Sequence, residues 1–264
     1  MKTLKDILTE GILADNVIKE GILSDMEDTL QAGERDAAVM LIKDFIEKNY
    51  HIQKKAVMRI WEQPNEDGKY FVDVEGGFVR VRNRKLTHLT NDLFEWHHIG
   101  GEFNCWNCRD LIDLVGGPSN VDDCLNVNNC RSLKSLKGAP EYVGEGGVCC
   151  IECYSLETLE GAPKTVLGDF HCDDCPNLKS LKGAPEVLCS DFWCNRCKKL
   201  TSLEGLPDSI GRSLYCQACT GLNTIKGLPT KIGGNLYLNI KNISEDELRN
   251  IKGAGIKGDI IVDK

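Results

Sequence analysis

The chain has 264 residues and a net charge of −8, with 41% hydrophobic and 27% charged residues. That composition can bury a sizeable core and excludes wholesale disorder, and the acidic balance argues against a phosphate-backbone binder, which needs a basic face. The longest apolar run, Ala37–Ile42, falls well short of the ~18 residues of a membrane span, and the first residues lack the apolar segment of a secretory signal.

In chain order, residues 1–23 come first, and they contain a duplication. Thr9–Asp15 (TEGILAD) is echoed ten residues later by Lys19–Asp25 (KEGILSD). The segment begins Met-Lys, and Leu8-Thr9-Glu10 and Ile18-Lys19-Glu20 are each followed by glycine. This pattern resembles the capsid-targeting leader of head-packaged proteins in tailed phages of the T-even type. The resemblance implies processing between Glu10 and Gly11 or between Glu20 and Gly21. The alternative is an ordinary amphipathic helix interrupted by glycines. Residues 24–78 read as a small α/β cap. Ser24–Glu27 has the form of a capping box. Over 34–49, Ala38, Leu41, Ile42, Phe45 and Ile46 recur at helical spacing. Residues 56–61 and 69–74 flank the turn signal Pro64–Gly68, which predicts a hairpin.

The region 79–243 is repetitive. Cys105, Val127, Cys150, Cys172, Cys194, Cys216 and Leu238 recur at steps of 22, 23, 22, 22, 22 and 22 residues. Two residues before each stands Phe, Leu or Val, as at Phe103 and Phe170. Three after stand Cys108, Cys130, Cys153, Cys175, Cys197 and Cys219; leucine follows six after and leucine or isoleucine nine after. Columns of glycine (Gly116 to Gly227) and proline (Pro118 to Pro229) follow, the latter holding six of the eight prolines. Alternation at the head of each unit predicts a short strand with one buried face. Glycine and proline then turn the chain back. No unit of this size buries its face alone, so the units are expected to stack into a solenoid. The unit resembles the leucine-rich repeat, with cysteine in place of the family's second leucine. The resemblance implies a leucine-rich-repeat-like parallel β stack. Val79, Val81, Leu86 and Leu89 mark a degenerate first unit. Lys137, Glu160, Lys182, Glu204 and Lys226 alternate in sign in one column, and Lys134, Glu157 and Lys179 in another, as expected of stacked neighbours. Residues 244–264 are expected to close the stack with a capping box at Ser244–Glu247, a helix over 245–251 and a strand at Ile260–Val262.

Eleven of the 14 cysteines fall in the two inward columns. Cys150, Cys153, Cys172 and Cys175 have the C-x2-C-x18-C-x2-C spacing of a zinc ribbon. Against zinc, the first column also accepts Val127 and Leu238, so the favoured reading is a packed core in which cysteine acts as a small hydrophobe. Disulfides between stacked strands are the third reading, disfavoured by the absence of a secretory signal. Cys124, Cys149 and Cys189 lie outside the columns, and Cys149 falls on an outward strand position.

The five histidines (His51, His88, His97, His98 and His171) belong to no catalytic motif, and no phosphate-binding loop is present. A non-enzyme without cofactor or bound metal is expected. The strand position between the two inward residues reads Asn104, Asn126, Cys149, His171, Trp193, Tyr215 and Tyr237. Its aromatic half suits a rigid interface, and equally suits cross-strand stacking. The expected partner-binding set is His171, Trp193, Arg196, Tyr215 and Tyr237, with Asp173, Asp174, Asn195 and Gln217 beside it. Taken with the leader, the repeats resemble cysteine-rich repeat proteins of tailed bacteriophages. That resemblance implies a location in the virion interior or the bacterial host cytoplasm. With the outward aromatic column, the acidic balance and the lack of a long apolar run, the expected protein is a monomeric protein-binding scaffold with a host or virion protein as partner and neither nucleic acid nor membrane. A zinc-binding repeat protein and a structural virion component are the alternatives.

Overall fold

The computed structural model describes residues 34–61 and 64–239, together with 244, 246, 247, 249, 251 and 255–263 towards the C-terminus. The chain winds as a β-solenoid whose coils contribute strands to two ten-stranded sheets. Within the repeats, the first sheet takes strands such as Phe103–Asn104, Phe170–His171 and Leu214–Cys216, and the second takes Asn120–Val121, Thr165–Val166 and Ser209–Ile210. All these strands are parallel to their neighbours and in register column by column. The second strand of each unit, which ends on the column Val121, Val143, Val166, Leu188, Ile210 and Ile232, goes beyond the single strand expected from the repeat pattern. Those six side chains are buried, and each pairs with the equivalent residue of the next coil. The 23-residue step places its extra residue in the corner between Val143 and Gly147. Register across the first sheet is therefore kept, with Val148 opposite both Leu125 and Phe170.

The columns beginning at Phe103, Cys105, Cys108, Leu111 and Leu114 are buried throughout, most of them at 0% exposure. Phe170 and Phe192 stack inside at 5.2 Å. Position-specific demands explain the less obvious columns. After each first-column residue the chain turns through a left-handed residue: Asn107, Asn129, Glu152, Asp174, Arg196 or Ala218, with φ of 55–62°. Glu, Arg and Ala rarely adopt that conformation. It persists because the turned N–H reaches the next coil's carbonyl, as from Glu152 to Asp173 (3.1 Å) and from Arg196 to Gln217 (2.8 Å). The second-column cysteine then donates its thiol backward. Cys130, Cys153, Cys175, Cys197 and Cys219 point Sγ at the carbonyls of Cys105, Val127, Cys150, Cys172 and Cys194, at 2.9–3.2 Å. In the first column Cys150 also donates, to the His171 carbonyl at 3.0 Å, but Val127 and Leu238 fill the same position, so a thiol is not required there. None of the 14 cysteines is paired in a disulfide. In the glycine column, Gly183 has φ +89°, and a Cβ there would sit 2.6 Å from Glu160 Cα. Coil spacing thus leaves room for hydrogen alone.

Both ends are built from the same sheets. The helix Glu34–Asn49 buries Ala37, Ala38, Leu41, Ile42 and Ile46, and Phe45 meets Phe94 edge-on at 5.9 Å. Tyr50–Ile52 adds an antiparallel strand to Val79–Val81. The hairpin Val57–Ile60 with Tyr70–Glu75 extends the second sheet. At the other end Ile260–Asp263 and Gly255–Ile256 pair in parallel with the preceding coil, so the closing segment is a further coil. Ser244 and Glu247 exchange the bonds of a capping box, Glu247 N to Ser244 Oγ and Ser244 N to Glu247 Oε2, both at 3.3 Å. The Ser24–Glu27 box lies outside the described residues. The expected charge columns yield Glu157–Lys179 at 2.9 Å and Glu204–Lys226 at 2.8 Å, both exposed. Leu181 is fully buried in the middle of the stack. Leu181→Ala is therefore expected to cost about 2–5 kcal/mol of stability, measured by urea unfolding; a loss below about 0.5 kcal/mol would remove the column from the core.

Candidate functional site

The outer face of the first sheet is where side chains are free of the core. Strand pairing places Asn104, Asn126, Cys149, His171, Trp193, Tyr215 and Tyr237 side by side along it, and Ile261 continues the row. Four of the five expected partner-binding residues meet here. His171 lies over Trp193 at 5.4 Å and 20°, Trp193 over Tyr215 at 3.5 Å and 7°, and Tyr215 over Tyr237 at 4.5 Å and 8°. The rings therefore spend their faces on one another and turn their edges outward, forming a ridge rather than a set of flat platforms. Trp193 Nε1 is shut off from solvent and has no hydrogen-bond partner.

Arg196 stands apart, on the left-handed corner. Its guanidinium grips Asp174 of the previous coil with two bonds of 2.6 Å. That pair holds the Asp174 carboxyl below the usual carboxylate range. The polar neighbours of the ridge are likewise engaged with the next coil's backbone. On one side Asp169 accepts from Asp191 N (3.0 Å), Asp191 from Ser213 N (2.6 Å), Ser213 from Asn235 N (3.0 Å) and Asn235 from Asp259 N (2.8 Å). On the other, Asp173 accepts from Asn195 N (3.0 Å) and Asn195 from Gln217 N (2.7 Å). These ladders are not visible as a motif in the sequence. They could be found only by aligning the columns and asking which side chains cap the next coil's N–H groups. The processing residues Glu10, Gly11, Glu20 and Gly21 lie outside the described residues.

Histidine–aspartate pairs recur on the surface. His88 and Asp113, His97 and Asp73, and His98 and Asp122 each approach to 2.9 Å. His171 lies beside Cys149 in register, which raises the question of a cysteine–histidine nucleophile. Its Nδ1 faces Asp173 at 3.4 Å and its Nε2 faces Asp169 at 3.8 Å. Both nitrogens are thus directed at carboxylates, which leaves none aimed at the sulfur as a general base requires. Among the described residues, no three His, Cys, Asp or Glu side chains are grouped to hold a metal ion, and no helix is long and apolar enough to cross a membrane. Comparison with protein-family models, curated proteins and solved structures finds no match.

Partial burial pulls the His171 pKa down, but Asp173, Cys149 and Asp169 together outweigh it and raise it above the ordinary 6.5. Because the folded value exceeds the unfolded one, His171 contributes stability that is fully present below about pH 6.5 and lost as pH rises through the folded pKa. In a Cys149→Ser background, the stability lost on His171→Gln should therefore be larger at pH 5.5 than at pH 8.5. Urea unfolding at both pH values checks this, and a pH-independent difference would contradict it.

Proposed function

We propose that the protein is a non-enzymatic binding scaffold whose partner, another protein, docks on the outer face of the first sheet across the ridge His171–Trp193–Tyr215–Tyr237. The observation that carries this reading is the stack itself: large rings on four consecutive strands, held in one orientation by the solenoid. Side chains already fixed in place lose little conformational freedom on binding. Asp169, Asp191 and Asp259 on one flank and Asp173 on the other favour a partner with a cationic rim.

The test is a Trp193→Ala, Tyr215→Ala double variant, with its fold checked by circular dichroism, assayed against proteins recovered by the intact chain from lysate. A central anchor of this kind costs about 2 kcal/mol or more when truncated, so an approximately thirtyfold or greater loss of affinity is expected. Unchanged affinity would reduce the ridge to sheet packing.

The leader pattern supports the biological setting: a phage-borne chain packaged in the head and delivered to the host. On that reading, protein recovered from mature particles begins at Gly11 or Gly21, as read by N-terminal sequencing. An intact Met1 in such protein would overturn the processing step.

A further inference from the structure

The same outer face carries a pair of thiols that the ridge does not explain. Cys124 and Cys149 lie on the adjacent parallel strands Cys124–Asn126 and Gly147–Cys149, paired so that Gly147 faces Cys124 and Cys149 faces Asn126. Alternation puts both sulfurs outward, and both residues are half-buried. Diagonal neighbours on paired strands are within side-chain reach, and the two thiols interact with one another. Directly opposite Cys124 is Gly147, so no side chain fills the outward position in front of Cys149.

The spacing selects among the things two neighbouring thiols can do. Strands about 4.8 Å apart and an offset of two residues, about 6.6 Å, put the two Cα atoms roughly 8 Å from one another. A disulfide needs roughly 4.4–6.8 Å, so direct oxidation would require the sheet to distort. A bridging ion bound through metal–sulfur bonds of about 2.3 Å accepts sulfurs up to about 4.6 Å apart, the separation of thiols in contact. A four-coordinate ion such as zinc lacks its remaining ligands, because no third ligating side chain is grouped with the pair. His171, next in register, has both nitrogens facing carboxylates, and it contributes charge rather than a lone pair. What fits is a soft cation satisfied by two thiolates.

We propose that Cys124 and Cys149 form a two-coordinate bis-thiolate site for a soft monovalent cation of the copper(I) class. Binding replaces two S–H bonds by two metal–sulfur bonds, releases both thiol protons to solvent and leaves the ion in its +1 state. The surroundings favour it. Contact with Cys124 pulls the Cys149 thiol down to about 7, with burial opposing and His171 assisting; the same contact, together with burial, pushes the Cys124 thiol up, so its proton leaves only on metal binding. Glu102 and Asp169 add negative potential at the sulfurs. Among the core cysteines, burial pushes the Cys105, Cys150 and Cys194 thiols well above the ordinary range, whereas contacts with Cys194, Cys197 and Cys216 pull Cys219 below it. This site does not depend on the docking proposed for the ridge.

The experiment uses the full chain with Cys189→Ser, which removes the exposed thiol outside the columns. Copper(I) is supplied anaerobically against a chromophoric copper(I) chelator. The expected result is a single ion retained per chain, lost in both Cys124→Ser and Cys149→Ser while circular dichroism is unchanged. A second readout needs no mutation at the site: copper(I) should protect Cys124 and Cys149 together from iodoacetamide, read by peptide mass spectrometry. No retention by the parent, equal retention by the Cys124→Ser, Cys149→Ser double variant, retention only with loss of fold, or alkylation unaffected by copper(I) would each overturn the proposal.

Discussion

A coil of about 22 residues presents backbone donors and acceptors along both rims, and in a solenoid another coil is what satisfies them in bulk. Most of the molecule's column structure follows from that requirement. The strand pairs of both sheets answer it directly. At the corner, where strand geometry fails, left-handed residues turn their N–H groups along the stack axis. Even Glu152, Arg196 and Ala218 accept that conformation. The second-column thiol supplies a further donor for the previous coil's corner carbonyl, and the glycine column keeps the coils at hydrogen-bonding distance. These features act as one system, since each holds the spacing on which the others depend.

The same requirement shapes the surface. Asp169, Asp191, Ser213 and Asn235 on one side of the ridge, and Asp173 and Asn195 on the other, extend the backbone ladder outward. Polar residues that look available for recognition are therefore partly structural. Arg196 belongs with them through its grip on Asp174. The two functional proposals rest instead on the aromatic edges of the ridge and on the Cys124–Cys149 pair. The ends of the stack are handled asymmetrically. Antiparallel strands and a helix cover the first coil, whereas the last coil continues the parallel ladder and leaves Ile260 and Ile261 exposed.

Much of this architecture is legible in the sequence, because a solenoid is a periodic object whose long-range contacts are copies of one another. The 22-residue period, the inward columns, the helix over 34–49, the hairpin around Pro64–Gly68 and the outward row ending in Tyr237 can all be read from spacing alone. So can the alignment of His171, Trp193, Tyr215 and Tyr237 on one face, since period-2 alternation and a constant repeat length leave no other register. What spacing does not convey is how a side chain in a column is used. Within the repeats, the strands of the second sheet contribute one buried residue each, too little to register as alternation.

The remaining features were decided by tertiary structure. Whether stacked rings show their faces or their edges depends on a coil separation of a few ångströms, which no pattern of letters records. The thiol ladder depends on a carbonyl turning outward at a corner, and the engagement of Asp173 and Asn195 depends on N–H groups one coil away. Cys124 and Cys149 are 25 positions apart, slightly more than one coil, and come together only because the extra residue of the 23-residue step is taken up before Gly147. The sequence by itself determined which residues share a column and which face that column presents. The packed coils decided what each column touches, because those contacts are set by distances between coils rather than by order along the chain.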